Sequence, residues 1–217
     1  MKKDTLTILI ICLFTLNAYS QTEAVTKKGD TIFIYDNGTW KNKTTVKKTL
    51  LIKSSVIATV SVDDFSNKKS YKTAQWSSFG ISETRTKMSG YATFYNEGIY
   101  AINLIIPTDL GCMSENRSTL KVKLSNGEVV DFIQVSDTDC GSNIFASFIP
   151  VSRAVLDSGK LLEPIKESVK TLKEFDWVTI RVEGTKYYLD FVPRVSRRMP
   201  NPEQFFRQHL ISIDNKL

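Results

Sequence analysis

The stretch Thr119-Leu120-Lys121-Val122-Lys123-Leu124-Ser125-Asn126-Gly127-Glu128-Val129-Val130-Asp131-Phe132 decides the fold class. Leu120, Val122 and Leu124 alternate with polar residues, and Glu128, Val130 and Phe132 resume the period after Ser125-Asn126-Gly127. A period of two gives an extended chain one apolar and one polar face, and a short Asn-Gly loop reverses it, so the segment reads as a β-hairpin. A three-residue loop with Gly127 in the left-handed region pairs Leu124 with Glu128, Val122 with Val130 and Leu120 with Phe132.

Extended outward, this register sets Cys112 opposite Cys140. The third cysteine, Cys12, lies in residues 1–20, which read as a secretory signal peptide. Lys2 and Lys3 form its basic start, Leu6 to Phe14 its apolar core, and Ala18-Tyr19-Ser20 the small residues before cleavage ahead of Gln21. The core is too short to span a bilayer, and no later segment is long and apolar enough to do so. Cleavage removes two basic residues and one acidic one, so the net charge falls from +6 to +5. Two cysteines then remain in an oxidising compartment, where a disulfide is expected. The alternative is two buried free thiols. The expected location is the periplasm or the outer membrane's periphery, with release into the medium a third option.

Other elements follow from the same pattern. Thr31–Tyr35 reads as a strand, Asp36 to Thr39 as a turn, and the basic stretch Lys41 to Thr49 as a linker. Leu50 to Val60, Tyr91 to Tyr95, Ile99 to Ile106 and Ile144 to Ile149 read as strands, with Asn96-Glu97-Gly98 as a hairpin turn. Leu161, Leu162, Ile165, Val169 and Leu172 recur at helical spacing, with Pro164 restricted to the first turn. Trp177 to Val182 and Tyr187 to Val192 alternate again around Gly184-Thr185. Asn201-Pro202 is expected to cap a final helix whose apolar face is Phe205, Phe206, His209, Leu210 and Ile213. Strands in hairpin order with late helices predict an α+β fold, mainly an antiparallel curved sheet or sandwich with one packed helix and a C-terminal helix. The expected organisation is a signal peptide at 1–20, a hairpin and linker at 21–48, and one β-rich domain at 49–217.

The run Lys28-Gly29-Asp30, Ile32-Phe33-Ile34-Tyr35 and Asp36-Asn37-Gly38-Thr39-Trp40 resembles a short leader that follows the signal peptide in exported proteins of Gram-negative bacteria and ends in Asp-Gly-Thr-Trp. The resemblance implies an envelope-associated protein and no activity. The later order, a strand pair around Asn126-Gly127, a helix, Val178 to Val182, Tyr187 to Phe191 and a closing helix, is similar to small periplasmic accessory proteins.

His209 is the single histidine, so any Ser-His-Asp or Cys-His arrangement would have to use it; a packed helix residue is the plainer account. No phosphate loop, dinucleotide fingerprint or transition-metal ligand set is present, and no cofactor is implied. Asp63, Asp64, Asp137, Asp139 and Asp190 are the carboxylates from which an acid–base pair could be drawn, although loop aspartates bonding their own backbone explain the first four more simply. The basic clusters, Lys41 to Lys48 and Arg194 to Arg198, suit anionic glycans or head groups better than nucleic acid in an exported protein. Trp76, Tyr187, Tyr188, Arg194, Arg197 and Arg198 are the candidate binding residues. The leading expectation is a non-enzymatic exported module that binds an envelope protein or glycan. The rival is a carboxylate-dependent hydrolase of glycan or peptidoglycan.

Overall fold

The computed structural model describes residues 21–25, 31–35, 40–42, 54–95 and 98–217. The chain divides into two compact units, Met1–Lys47 and Lys48–Leu217. The signal-peptide region and the Asp36–Thr39 turn lie outside the described residues. In the first unit, β1 (Gln21–Val25) pairs antiparallel with β2 (Thr31–Tyr35), and β2 with β3 (Trp40–Asn42). Lys41 and Asn42 therefore belong to a strand and not to a linker; the rest of that basic stretch lies outside the described residues.

The second unit opens with β4 (Ala58–Val62), β5 (Lys69–Thr73), β6 (Trp76–Ser82), β7 (Lys87–Tyr95) and β8 (Ile99–Ile106). Of the strand expected over Leu50 to Val60, residues 50–53 lie outside the described residues and Ser54 to Ile57 are not strand, Ser54 and Ser55 bonding Gln208 of the terminal helix; β4 starts at Ala58. Asn96 and Glu97 lie outside the described residues; β7 and β8 pair on either side of them, with Tyr95 opposite Ile99.

Next come β9 (Cys112–Met113), β10 (Thr119–Leu124), β11 (Val129–Gln134), β12 (Asp139–Cys140) and β13 (Ile144–Ile149). The β10–β11 hairpin has the register read from its alternation: Leu120 faces Phe132 and Val122 faces Val130, and Gly127 has φ +90°. Farther out, Cys112 pairs with Cys140 across β9–β12 and the two are disulfide-bonded, with Cα atoms 4.2 Å apart. The buried Gln134 amide anchors the irregular chain between them by donating to the Met113, Ser136 and Asp137 carbonyls.

Three helices and two strands complete the unit: α1 (Arg153–Ser158), α2 (Leu162–Glu174), β14 (Trp177–Glu183), β15 (Tyr188–Pro193) and α3 (Phe205–Asp214), the last entered through a 3₁₀ turn, Pro202–Gln204. Among the described residues the main sheet runs β4-β5-β7-β6-β15-β14-β10-β11-β13-β8, all antiparallel, and β8 pairs back onto β7. Eight strands thus form a closed ring. Strand β7 makes this possible by using one edge for β8 and dividing the other between β6 and β5.

The fold is α+β. Alternating residues such as Leu120, Val122, Ile180 and Val182 share one core with Ile165, Val169 and Leu172 of α2 and Phe205, Phe206 and Leu210 of α3. Helix α3 differs from a surface amphipathic helix: Arg207, Gln208 and His209 are buried with its apolar residues. Asn201 makes no side-chain cap; its carbonyl accepts from Gln204, and Trp177 Nε1 fixes the turn by donating to the Pro202 carbonyl at 2.8 Å.

Candidate functional site

Four segments converge beside the start of β6. The β6–β7 register shifts between Trp76, opposite Gly90, and Gly80, opposite Met88, so β6 bulges there. At the bulge Ser78 takes φ +58°, a left-handed conformation unusual for a residue with a Cβ, and its N–H donates to Ser89 Oγ at 2.9 Å. The bulge leaves Trp76 half-buried at the surface.

Trp76 is braced from behind. Its ring meets His209 edge-on at 5.1 Å between centroids and Phe205 at 6.0 Å. His209 is fully buried, and its Nδ1 lies 2.6 Å from Thr73 Oγ1, which accepts from the Ala92 N–H at 2.8 Å. Burial without a carboxylate pulls the His209 pKa down to about 3, so the imidazole is neutral.

The facing wall comes from the chain after β15. The Arg194 N–H donates to the Phe79 carbonyl, and Ser196 and Met199 exchange two backbone hydrogen bonds of 3.0 Å. That small hairpin carries Arg197 and Arg198 at its turn. The floor comes from Gln204 and Gln208: Gln208 Nε2 donates to Gln204 Oε1 at 3.1 Å and Gln208 Oε1 accepts from the Ser55 N–H.

Together these segments enclose a cleft of about 580 Å³, within the size range of small-ligand sites. Trp76, Arg194 and Arg198 all line it, and among the described residues no aspartate or glutamate does. Neither arginine has a carboxylate partner among the described residues. The site therefore offers an aromatic plate and uncompensated positive charge. Its remaining lining is mostly amides and hydroxyls, and those side chains had no distinguishing sequence signal beyond their closeness to Trp76 and Asn201-Pro202.

The other candidates lie elsewhere. Arg197 is exposed on the same turn but does not line the cleft. Tyr187 and Tyr188 are exposed at the opposite end of β15, Tyr188 six residues from Arg194 or roughly 20 Å along an extended chain. There Tyr188 stacks under the Arg181 guanidinium at 4.2 Å.

The carboxylates are dispersed. Asp63 organises the β4–β5 turn by accepting from Ser66 Oγ, Ser66 N–H and Phe65 N–H, bonds that hold its pKa below the usual range; Asp64 is its exposed neighbour. Asp139 accepts from the Phe145 N–H beside the disulfide, and Asp137 lies nearby on the same loop. Asp190 forms a two-pronged pair with Arg181 at 2.7 Å, which lowers its pKa. Among the described residues no group of three or more histidine, cysteine, aspartate or glutamate side chains could hold a metal ion. No helix there is long and apolar enough to cross a membrane.

Comparison of the chain with protein-family models, curated proteins and solved structures found no match.

Proposed function

We propose that the chain is a non-enzymatic, exported envelope protein, a binding or accessory module that seats a group of another envelope component in the Trp76 cleft. The observation that carries this reading is the composition of the cleft: a braced tryptophan and two guanidiniums, with no carboxylate among the described residues to pair with them or to act as acid or base. The dispersal of Asp63 in the β4–β5 turn, Asp139 in β12 and Asp190 in β15 supports it further. Export draws support from the pattern of residues 1–20 and from the Cys112–Cys140 bridge, which suits an oxidising compartment.

Two measurements test the proposal. Mass spectrometry of the protein recovered from cell fractions is expected to find Gln21 at the N-terminus; a cytoplasmic protein beginning at Met1 overturns export. Titration with a panel of envelope saccharides and peptides is expected to shift the Trp76 indole resonance and leave every probe chemically intact. Turnover of a glycan, or a panel that leaves Trp76 unmoved, overturns the binding reading.

A further inference from the structure

We infer that the cleft recognises an acidic saccharide, with a sugar ring against Trp76 and its carboxylate between Arg194 and Arg198. The inference rests on the binding reading of this cleft and adds the ligand's chemistry. Three observations lead to it.

Charge comes first. Arg198 sits on the Ser196–Met199 hairpin, held by its own backbone bonds, and Arg194 precedes it with its N–H given to the Phe79 carbonyl; neither has a carboxylate partner among the described residues. Two guanidiniums lining one cleft without a carboxylate favour an anion, and their planar forks match a carboxylate.

Hydrogen-bonding capacity comes second. The side-chain amides of Gln75 and Asn201 line the cleft without a protein partner among the described residues. Gln204 spends its oxygen on Gln208 and keeps its Nε2 donors. The hydroxyls of Ser77, Ser78 and Ser196 are likewise uncommitted. A lining rich in neutral donors and hydroxyls suits a ligand covered in hydroxyl groups, where each ring oxygen can find a partner.

The third observation is the single aromatic plate. Trp76 meets Phe205 and His209 edge-on, yet stays partly exposed and lines the cleft, where a ligand can contact it. One plate amid polar groups fits the apolar face of a sugar ring. An extended peptide fits less well: the bulge breaks the β6 ladder, and the Ser78 N–H that could pair with an added strand is already given to Ser89. A lipid chain fits less well still, because Met199 and Pro200 are the only aliphatic side chains in the lining.

Calorimetric titration of the full chain at low salt tests the inference. The probes are digalacturonate, a glucuronate-bearing disaccharide, N-acetylneuraminate, the methyl esters of all three, a neutral disaccharide and uridine monophosphate. At least one acid is expected to bind, and to lose about tenfold or more in affinity as its ester. Arg194→Gln and Arg198→Gln are each expected to weaken it by a similar factor. Arg197→Gln, outside the lining, is expected to change it by no more than about twofold. Trp76→Leu is expected to abolish binding; because Trp76 packs on Phe205, the exposed Arg198→Gln variant keeps the test decisive if the leucine variant fails to fold. No acid binding at about 10 mM, an ester that binds as tightly as its acid, or indifference to both arginines overturns the inference. Tighter, Trp76-dependent binding of uridine monophosphate also overturns it in favour of a nucleotide. A neutral saccharide seated on Trp76 while every acid fails leaves the binding reading standing and removes only the acidic class.

Discussion

Arg207 Nη1 lies 2.9 Å from Asp176 Oδ1 at the C-terminal end of α2. The guanidinium is 1% exposed, yet it belongs to the terminal helix, more than thirty residues along the chain. Its other nitrogens donate to the Lys173 and Glu174 carbonyls, which the end of α2 leaves without intrahelical partners. Arg207 thus supplies an opposite charge, a helix cap and the clamp between α2 and α3.

Arg207→Met is expected to destabilise the chain by about 3 kcal/mol, because it strands both carbonyls and a partly buried carboxylate. Asp176→Asn is expected to cost less. Burial raises the Asp176 pKa more than Arg207 lowers it, so its charged form sits at a disadvantage that the amide does not share. Urea denaturation of the two variants checks the ordering; an asparagine variant less stable than the methionine variant contradicts it.

His209 gives the fold a pH dependence of definite sign. Its pKa falls from 6.5 to about 3 on burial. Between those values the unfolded chain binds a proton that the folded chain refuses. The contribution is therefore complete above about pH 6.5 and is lost as the pH falls toward 3, with a slope of at most about 1.4 kcal/mol per pH unit. His209→Leu removes this proton linkage, so its stability is expected to fall less steeply on acidification than that of the parent. Parallel acid limbs for parent and variant count against the assignment. Thr73→Val, which leaves the Ala92 N–H and His209 Nδ1 unpartnered, is expected to cost about 1–3 kcal/mol at neutral pH.

Local rules reached the β10–β11 hairpin fully, because Leu120, Val122, Val130 and Phe132 alternate cleanly and Gly127 marks the turn. The same register reached the cysteine pair. Strands β5 and β6 escaped: Lys69–Thr73 and Trp76–Ser82 are rich in serine, lysine and glycine, and a bulge interrupts β6. Ring closure through β7 and β8 depends on how one strand divides an edge, which periodicity does not encode. Helix α1 carried its signals, a Ser152 cap and Gly159 at φ +70°, but buries no residue and so shows no apolar stripe. In the site, Trp76, Arg194 and Arg198 stood out by residue type, while Gln75, Gln204 and Gln208 did not. His209 was legible as a packed residue of the final helix and is buried there, whereas Arg207 was hidden because its partners at the end of α2 override the solvent preference of a charged residue.

The Cys112–Cys140 bridge closes a loop with a sequence separation of 28, for which chain entropy gives about 3–4 kcal/mol. Strands β9 and β12 form a two-stranded sheet apart from the ring. The Thr185 contacts to Cys112 and the Gln134 contacts to Met113 do not need the sulfur atoms. Cys112→Ser with Cys140→Ser is therefore expected to lower stability by that amount while the far-ultraviolet dichroism of the folded sheet persists. Loss of the sheet signal in the double variant, without denaturant, would show that the bridge is required for folding.

Ser78 ties the stability of the fold to its cleft. At φ +58° its Cβ crowds the following carbonyl, a strain that glycine does not suffer. Ser78→Gly keeps the N–H bond to Ser89 and the bulge, so it is expected to stabilise the chain by about 0.5–1 kcal/mol. Ser78→Val, β-branched in a left-handed position, is expected to destabilise it. The glycine variant also frees the segment that presents Trp76, and ordering that segment on ligand capture then costs entropy. Its affinity for a cleft ligand is therefore expected to fall even as its urea midpoint rises. Because the Ser78 hydroxyl also lines the cleft, opposite movement of the two quantities shows that this position serves binding at a cost in stability; a glycine variant that binds unchanged would make the bulge a feature of the sheet alone.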